Sequence, residues 1–107
     1  MAVQELTVEQ YQELFKNSDK DYSLVDVREV DEFKNVRVPD TINIPLSEFQ
    51  FRFSEIPTDK PLILVCQTGV RSMMAARFMD ANGYDEVYNF TEGTVGWLKR
   101  GLAVEQG

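Results

Sequence analysis

The stretch Leu62-Ile63-Leu64-Val65-Cys66-Gln67-Thr68-Gly69-Val70-Arg71 decides how this chain folds. Its first four residues are all apolar, with no polar residue to mark a solvent face, as in a strand buried on both sides. Ser72-Met73-Met74-Ala75-Ala76-Arg77-Phe78-Met79 follows and reads as a helix. Cys66 therefore lies between a strand and a helix N-terminus, where open α/β sheets place their ligands. Backbone N–H groups are unpaired there and the helix dipole is positive. A thiol in that position ionises more readily than a free one, so Cys66 to Arg71 is expected to form a reactive-cysteine loop.

Working outward, strands and helices alternate. Thr7 and Gln10 form a capping box, and Val8, Tyr11, Leu14 and Phe15 then follow helical spacing. Tyr22 to Val27 reads as a strand, Glu29 to Asn35 as a short charged helix anchored by Phe33, and Thr41 to Ile44 as a strand stopped by Pro45. Leu46 to Phe53 fits either strand or helix; Ser47 as N-cap and Pro57 downstream favour helix. The helix after the loop should stop near Asn82 with Gly83 left-handed, Met73, Met74 and Phe78 serving its packing. Glu86 to Phe90 is a last strand, and Gly93 to about Arg100 a last helix ended by Gly101. This alternation implies one α/β domain over residues 1–107, a mostly parallel sheet of four to five strands with helices on both faces.

Composition narrows the function. The apolar fraction of 43% is enough for one core. The net charge of −7 argues against nucleic acid and anionic membranes as partners. One cysteine excludes an internal disulfide and fits a reducing compartment, the cytoplasm. The absence of histidine removes a Cys-His dyad and histidine metal ligands together. Met1 to Glu5 has neither the charge nor the apolar run of a signal peptide, and no stretch approaches a membrane span. A monomer is the expectation for a small domain without an evident apolar stripe.

A thiolate at Cys66 needs donors. The N–H groups of Gln67, Thr68, Gly69, Val70 and Arg71 can supply them if the loop curls around the sulfur, and Gly69 permits the curl. Arg71 would add a fixed positive charge and complete an electropositive bowl suited to a small anion or a persulfide.

Cys66 to Arg71 matches C-x-x-G-x-R, and here the chain resembles the single-domain rhodanese (sulfurtransferase) family. Asp26-Val27-Arg28-Glu29 with Glu32-Phe33 resembles that family's first signature, and Ile42 to Leu46 its second. Asn89-Phe90, Gly93, Trp97 and Gly101 resemble the C-terminal one, so the resemblance covers nearly the whole chain. Val36 to Thr41 departs from the usual G-H-I-P-G-A, Arg37 standing for the histidine and Asp40 for a glycine, and the C-terminal glycine pair becomes Glu92-Gly93.

The resemblance implies a double displacement. The Cys66 thiolate takes a sulfane sulfur from thiosulfate or a persulfide, and the Cys66 persulfide passes it to a thiol, cyanide or a sulfur-relay protein. It implies no metal and no organic cofactor. Two other classes stand beside it. Cysteine phosphatases and arsenate-handling enzymes of this fold resemble C-x5-R, one residue longer, a wider ring suited to a tetrahedral oxyanion. A non-catalytic or carrier-type binding module would keep the fold alone. Asp26 and Arg28 fit a structural pair or a pocket contact equally. Arg37 reads first as a surface residue, otherwise as pocket or structural support, and Trp97 as core with its ring bordering the pocket.

Overall fold

The strand Leu62–Val65 (β4) lies at the centre of a five-stranded sheet in the computed structural model, which describes residues 3–107. It pairs with Ser23–Asp26 (β2) on one side and Val87–Phe90 (β5) on the other. Gln4–Leu6 (β1) adds outside β5, and Ile42–Asn43 (β3) outside β2, giving the order β1-β5-β4-β2-β3. Every pairing is parallel, so all five carboxyl ends face one edge.

The apolar run of β4 divides between two cores, as the two-residue period of a strand requires. Leu62 and Leu64, continued by Cys66, join Val25, Ile44, Phe49, Ala75 and Met79 on one face. Ile63 and Val65 join Leu6, Tyr11, Phe15, Phe90 and Trp97 on the other. Each fully buried Val, Leu, Ile, Phe or Met side chain among them contributes about 1.5–3 kcal/mol.

The helices cover both faces. Val8–Tyr11 (α1) carries the capping box, with the Gln10 N–H donating to Thr7 Oγ1 and the Thr7 N–H to Gln10 Oε1. It widens into a π turn over Gln12–Lys16, closed by the Asn17 N–H on the Gln12 carbonyl at 2.9 Å. Phe15 stays buried, whereas Leu14, assigned by simple helical spacing to the same face, is 42% exposed. Val30–Asn35 (α2) buries no residue, and Phe33 is a half-buried platform for the Arg37 guanidinium, 4.6 Å from its ring centre. The segment after Pro45 is helical in three pieces: a 3-10 turn Leu46–Glu48, Phe49–Arg52 (α3) and a 3-10 turn Phe53–Glu55. Ser47 does not cap it; its hydroxyl donates to the Glu29 carboxylate.

Val70–Ala81 (α4) ends as its sequence predicts, with Gly83 at φ +89°. Its packing face consists of Ser72, Ala75, Ala76 and Met79. Small residues bring the helix close to the sheet and turn Met74 outward, 60% exposed, while Phe78 packs edge-on against Phe49 and Phe53. Gly93–Lys99 (α5) follows β5. Among the described residues no helix is long and apolar enough to cross a membrane.

Candidate active site

The parallel sheet brings three segments to one edge: the loop after β4, the loop after β2, and the N-terminus of α5. Cys66 leaves β4 there, 1% exposed. Its carbonyl accepts the Thr94 N–H at 2.9 Å and the Thr94 hydroxyl at 3.2 Å, and the Gln67 carbonyl accepts the Val95 N–H at 3.1 Å. These bonds fasten the start of the loop to α5. A Cβ on Gly93 would fall 2.4 Å from the Gln67 carbonyl oxygen, and Gly93 also has φ +62°, so glycine is required there on both grounds.

The loop then curls back. Gly69, at φ +95°, turns its N–H onto Cys66 Sγ at 3.1 Å. Gln67, Thr68 and Val70 are exposed at the mouth. The Ser72 hydroxyl, in the first turn of α4, lies 3.3 Å from the sulfur. Burial pushes the Cys66 thiol up. The Ser72 hydroxyl and the N–H groups of Ser72, Thr68 and Gly69 pull it down by more, so it titrates below an ordinary thiol.

Ser72 is a site residue that sequence reasoning passed over, because a serine at a helix start is unremarkable in sequence. It is fully buried and carries one proton for two acceptors. Asn89 donates through Nδ2 to the Gly69 carbonyl (3.1 Å) and to Glu5 Oε1 (3.2 Å). Its Oδ1 therefore faces Ser72, whose hydroxyl donates to it at 2.5 Å. The Ser72 hydroxyl thus stands between Asn89 Oδ1 and Cys66 Sγ.

The other sequence candidates fall into different places. Asp26 and Arg28 form a buried ion pair, Arg28 Nε meeting both carboxylate oxygens at 3.1 Å and Nη2 meeting Oδ2 at 2.9 Å. Nη2 also donates to the Val36 carbonyl at 2.7 Å, so the pair ties loops together. Arg28 has the pocket contact as well: with Glu32, Asn35, Gln67 and Thr94 it lines a cavity of about 190 Å³ beside the loop that does not include Cys66. Arg37 is half-buried support for the C-terminal segment, donating to the Phe33 and Gly107 carbonyls and facing Glu105 at 3.5 Å. Trp97 does not border the pocket. Its ring is buried in the core on the opposite face from Cys66, and its Nε1–H donates to the Ala103 carbonyl at 2.8 Å. Arg71 does not offer a free charge, because it is held by Glu32, Nη1 to Oε2 at 2.9 Å and Nη2 to Oε1 at 3.0 Å.

The arrangement is a buried sulfur at a strand end, met by the Gly69 N–H and the Ser72 hydroxyl, in a chain that is similar to known proteins. An uncharacterized protein of Bacillus subtilis, YqhL, is 42% identical over 86 residues, 80% of this chain and 68% of that protein. A protein named sulfurtransferase from Allochromatium vinosum is 33% identical over 85 residues, 79% of each chain. The crystal structure of a rhodanese-related protein from Thermoplasma volcanium superposes with a TM-score of 0.85 at 27% identity, over 97% of this chain and 99% of that one. Residues 7–100 match the rhodanese-like domain as a family, and the chain belongs to it.

Proposed function

We propose that the protein is a sulfurtransferase that carries a sulfane sulfur as a persulfide on Cys66. The observation that carries this reading is the sulfur itself: a free thiol at the end of β4, with the Gly69 N–H at 3.1 Å and the Ser72 hydroxyl at 3.3 Å, titrating below an ordinary thiol. The relative named sulfurtransferase supports it.

In the first half-reaction the Cys66 thiolate attacks the sulfane sulfur of a small donor. A bond forms between Sγ and that sulfur, the donor's own bond to it breaks, and the leaving group departs with the electron pair; from thiosulfate this is sulfite. The loop donors hold the terminal sulfur of the persulfide as they hold the thiolate. In the second half-reaction a thiophilic acceptor attacks the terminal sulfur and Cys66 leaves as thiolate. No second cysteine is present, so the acceptor is external: a thiol, cyanide, or a sulfur-relay protein. The reading places a monomer in the reducing cytoplasm, where its thiol stays available.

Intact mass tests it. Brief exposure to thiosulfate, or to an organic persulfide, should add one sulfur atom to the wild type and none to Cys66→Ser, and cyanide should remove it as thiocyanate. No addition from either donor would overturn the reading. Turnover of p-nitrophenyl phosphate that is lost in Cys66→Ser would replace it with a phosphatase.

A further inference from the structure

The Gly69 N–H and the Ser72 hydroxyl, which meet the sulfur, both hang on one buried side chain. Gly69 turns its N–H to Cys66 Sγ at 3.1 Å, and its carbonyl accepts from Asn89 Nδ2 at 3.1 Å. The Ser72 hydroxyl lies 3.3 Å from Sγ and donates to Asn89 Oδ1. The other Nδ2 hydrogen of Asn89 goes to Glu5 Oε1 at 3.2 Å. A side-chain amide offers two N–H donors and one carbonyl, so every group of Asn89 is engaged. Turned over, the amide would set its oxygen against the Gly69 carbonyl and the Glu5 carboxylate, which are both acceptors.

Strand register brings Glu5 to this place. β1 pairs with β5 so that Glu5 lies beside Asn89 and Leu6 beside Phe90. Leu6 and Phe90 are buried in the core that holds Trp97. The two-residue period therefore turns Glu5 and Asn89 to the other face, where Asn89 pairs with Leu64 and Cys66 follows. Glu5 Oε1 also accepts the Thr91 hydroxyl at 2.8 Å, and the Thr91 carbonyl packs on Gly69 so closely that no Cβ would fit there. A glutamate on an edge strand is ordinarily a solvated charge that guards the edge. This one is exposed, yet its carboxylate is spent on the two residues that back the reactive loop.

We infer that Glu5 is a positioning residue for Cys66: by accepting from Asn89 it fixes the amide that holds the Gly69 turn and the Ser72 hydroxyl at the sulfur. The inference concerns the reactivity of the thiol, and it rests on the sulfurtransferase reading only where it extends to sulfur uptake. With the carboxylate gone, Asn89 keeps the Gly69 carbonyl alone on its donor side, and the groups that support a thiolate lose their common anchor.

Glu5→Val removes the acceptor and keeps a residue suited to a strand, and Glu5→Gln keeps an oxygen that accepts from Asn89. Both remove the charge, and both leave Arg71, the charged side chain within electrostatic reach of Cys66, untouched. The difference between them therefore reads the hydrogen bond. The readout is the pH midpoint of Cys66 alkylation by iodoacetamide, which a loss of fold stability alone does not move. Glu5→Val should raise the midpoint by about half a unit, roughly a threefold smaller thiolate fraction below it, and Glu5→Gln should stay within about 0.2 unit of wild type. Glu5→Ala should repeat the valine result. Sulfur uptake from thiosulfate or an organic persulfide at neutral pH should fall in the valine and alanine variants and hold in Glu5→Gln. A midpoint unmoved in both Glu5→Val and Glu5→Ala, or moved as far in Glu5→Gln, would overturn the inference. A midpoint that moves as expected, with no sulfur uptake by any of the proteins, would sustain the role of Glu5 and overturn the sulfurtransferase reading instead.

Discussion

Two loops leave neighbouring parallel strands at the same edge, and they treat their polar atoms in opposite ways. After β2, Asp26 and Arg28 close on each other; the Arg28 N–H and side chain fill the Asp26 carboxylate, and the remaining contact goes to the Val36 carbonyl. After β4, donors converge on Cys66 Sγ, the Gly69 N–H at 3.1 Å and the Ser72 hydroxyl at 3.3 Å. The register sets Asp26 opposite Val65, so the two environments lie side by side. A buried ion pair that satisfies itself serves the scaffold. A buried sulfur ringed by donors keeps a capacity for charge that chemistry can use.

The comparison can be broken most forcefully at the β2 loop. Arg28→Ala leaves the Asp26 carboxylate buried and unpaired, so unfolding by denaturant should show a loss of about 3–5 kcal/mol. Replacing both, as Asp26→Asn with Arg28→Met, should lose less than the single variant. Equal losses would mean that the pair does not act as a self-contained unit.

At the β4 loop the expected effect on stability is smaller and the effect on chemistry larger. Ser72→Ala removes a donor from the sulfur and leaves Asn89 Oδ1 buried without its partner, at a cost of about 1–3 kcal/mol. The Cys66 alkylation rate should then reach its midpoint at a higher pH than in wild type. An unmoved midpoint would show that the backbone N–H groups alone support the thiolate.

The finest test is the pH dependence of stability. The folded thiol titrates below its unfolded value of about 8.5. Its contribution is therefore complete above the unfolded pKa and is lost as pH falls through the folded one. The stability of wild type relative to Cys66→Ser should rise with pH toward about 8.5 and level off beyond it. A flat difference would mean that the sulfur is no better solvated by the loop than by water.

Elements whose cause is local were legible in the chain. β4 occupies the expected residues, and the capping box at Thr7 and the stops at Gly83 and Gly101 form as read, because each depends on residues within one or two turns. β1 was not legible. It is three residues long and exists by pairing with β5, more than eighty residues away. The π turn that exposes Leu14 and the small-residue face of α4 likewise follow from how the helices seat on the sheet.

The same division runs through the site. The sequence by itself determined that a lone cysteine follows a buried strand, that glycine lets the loop curl, and that the fold is a parallel α/β domain, because apolar periodicity and backbone freedom are properties of adjacent residues. Only the tertiary structure decided which groups surround the sulfur. The Glu32–Arg71 pair spans 39 positions, Asn89 reaches Glu5 across 84, and Trp97 turns into the core opposite Cys66. Where a side chain's charge goes depends on the partner that the fold brings within about 3 Å, and sequence spacing does not hold that distance.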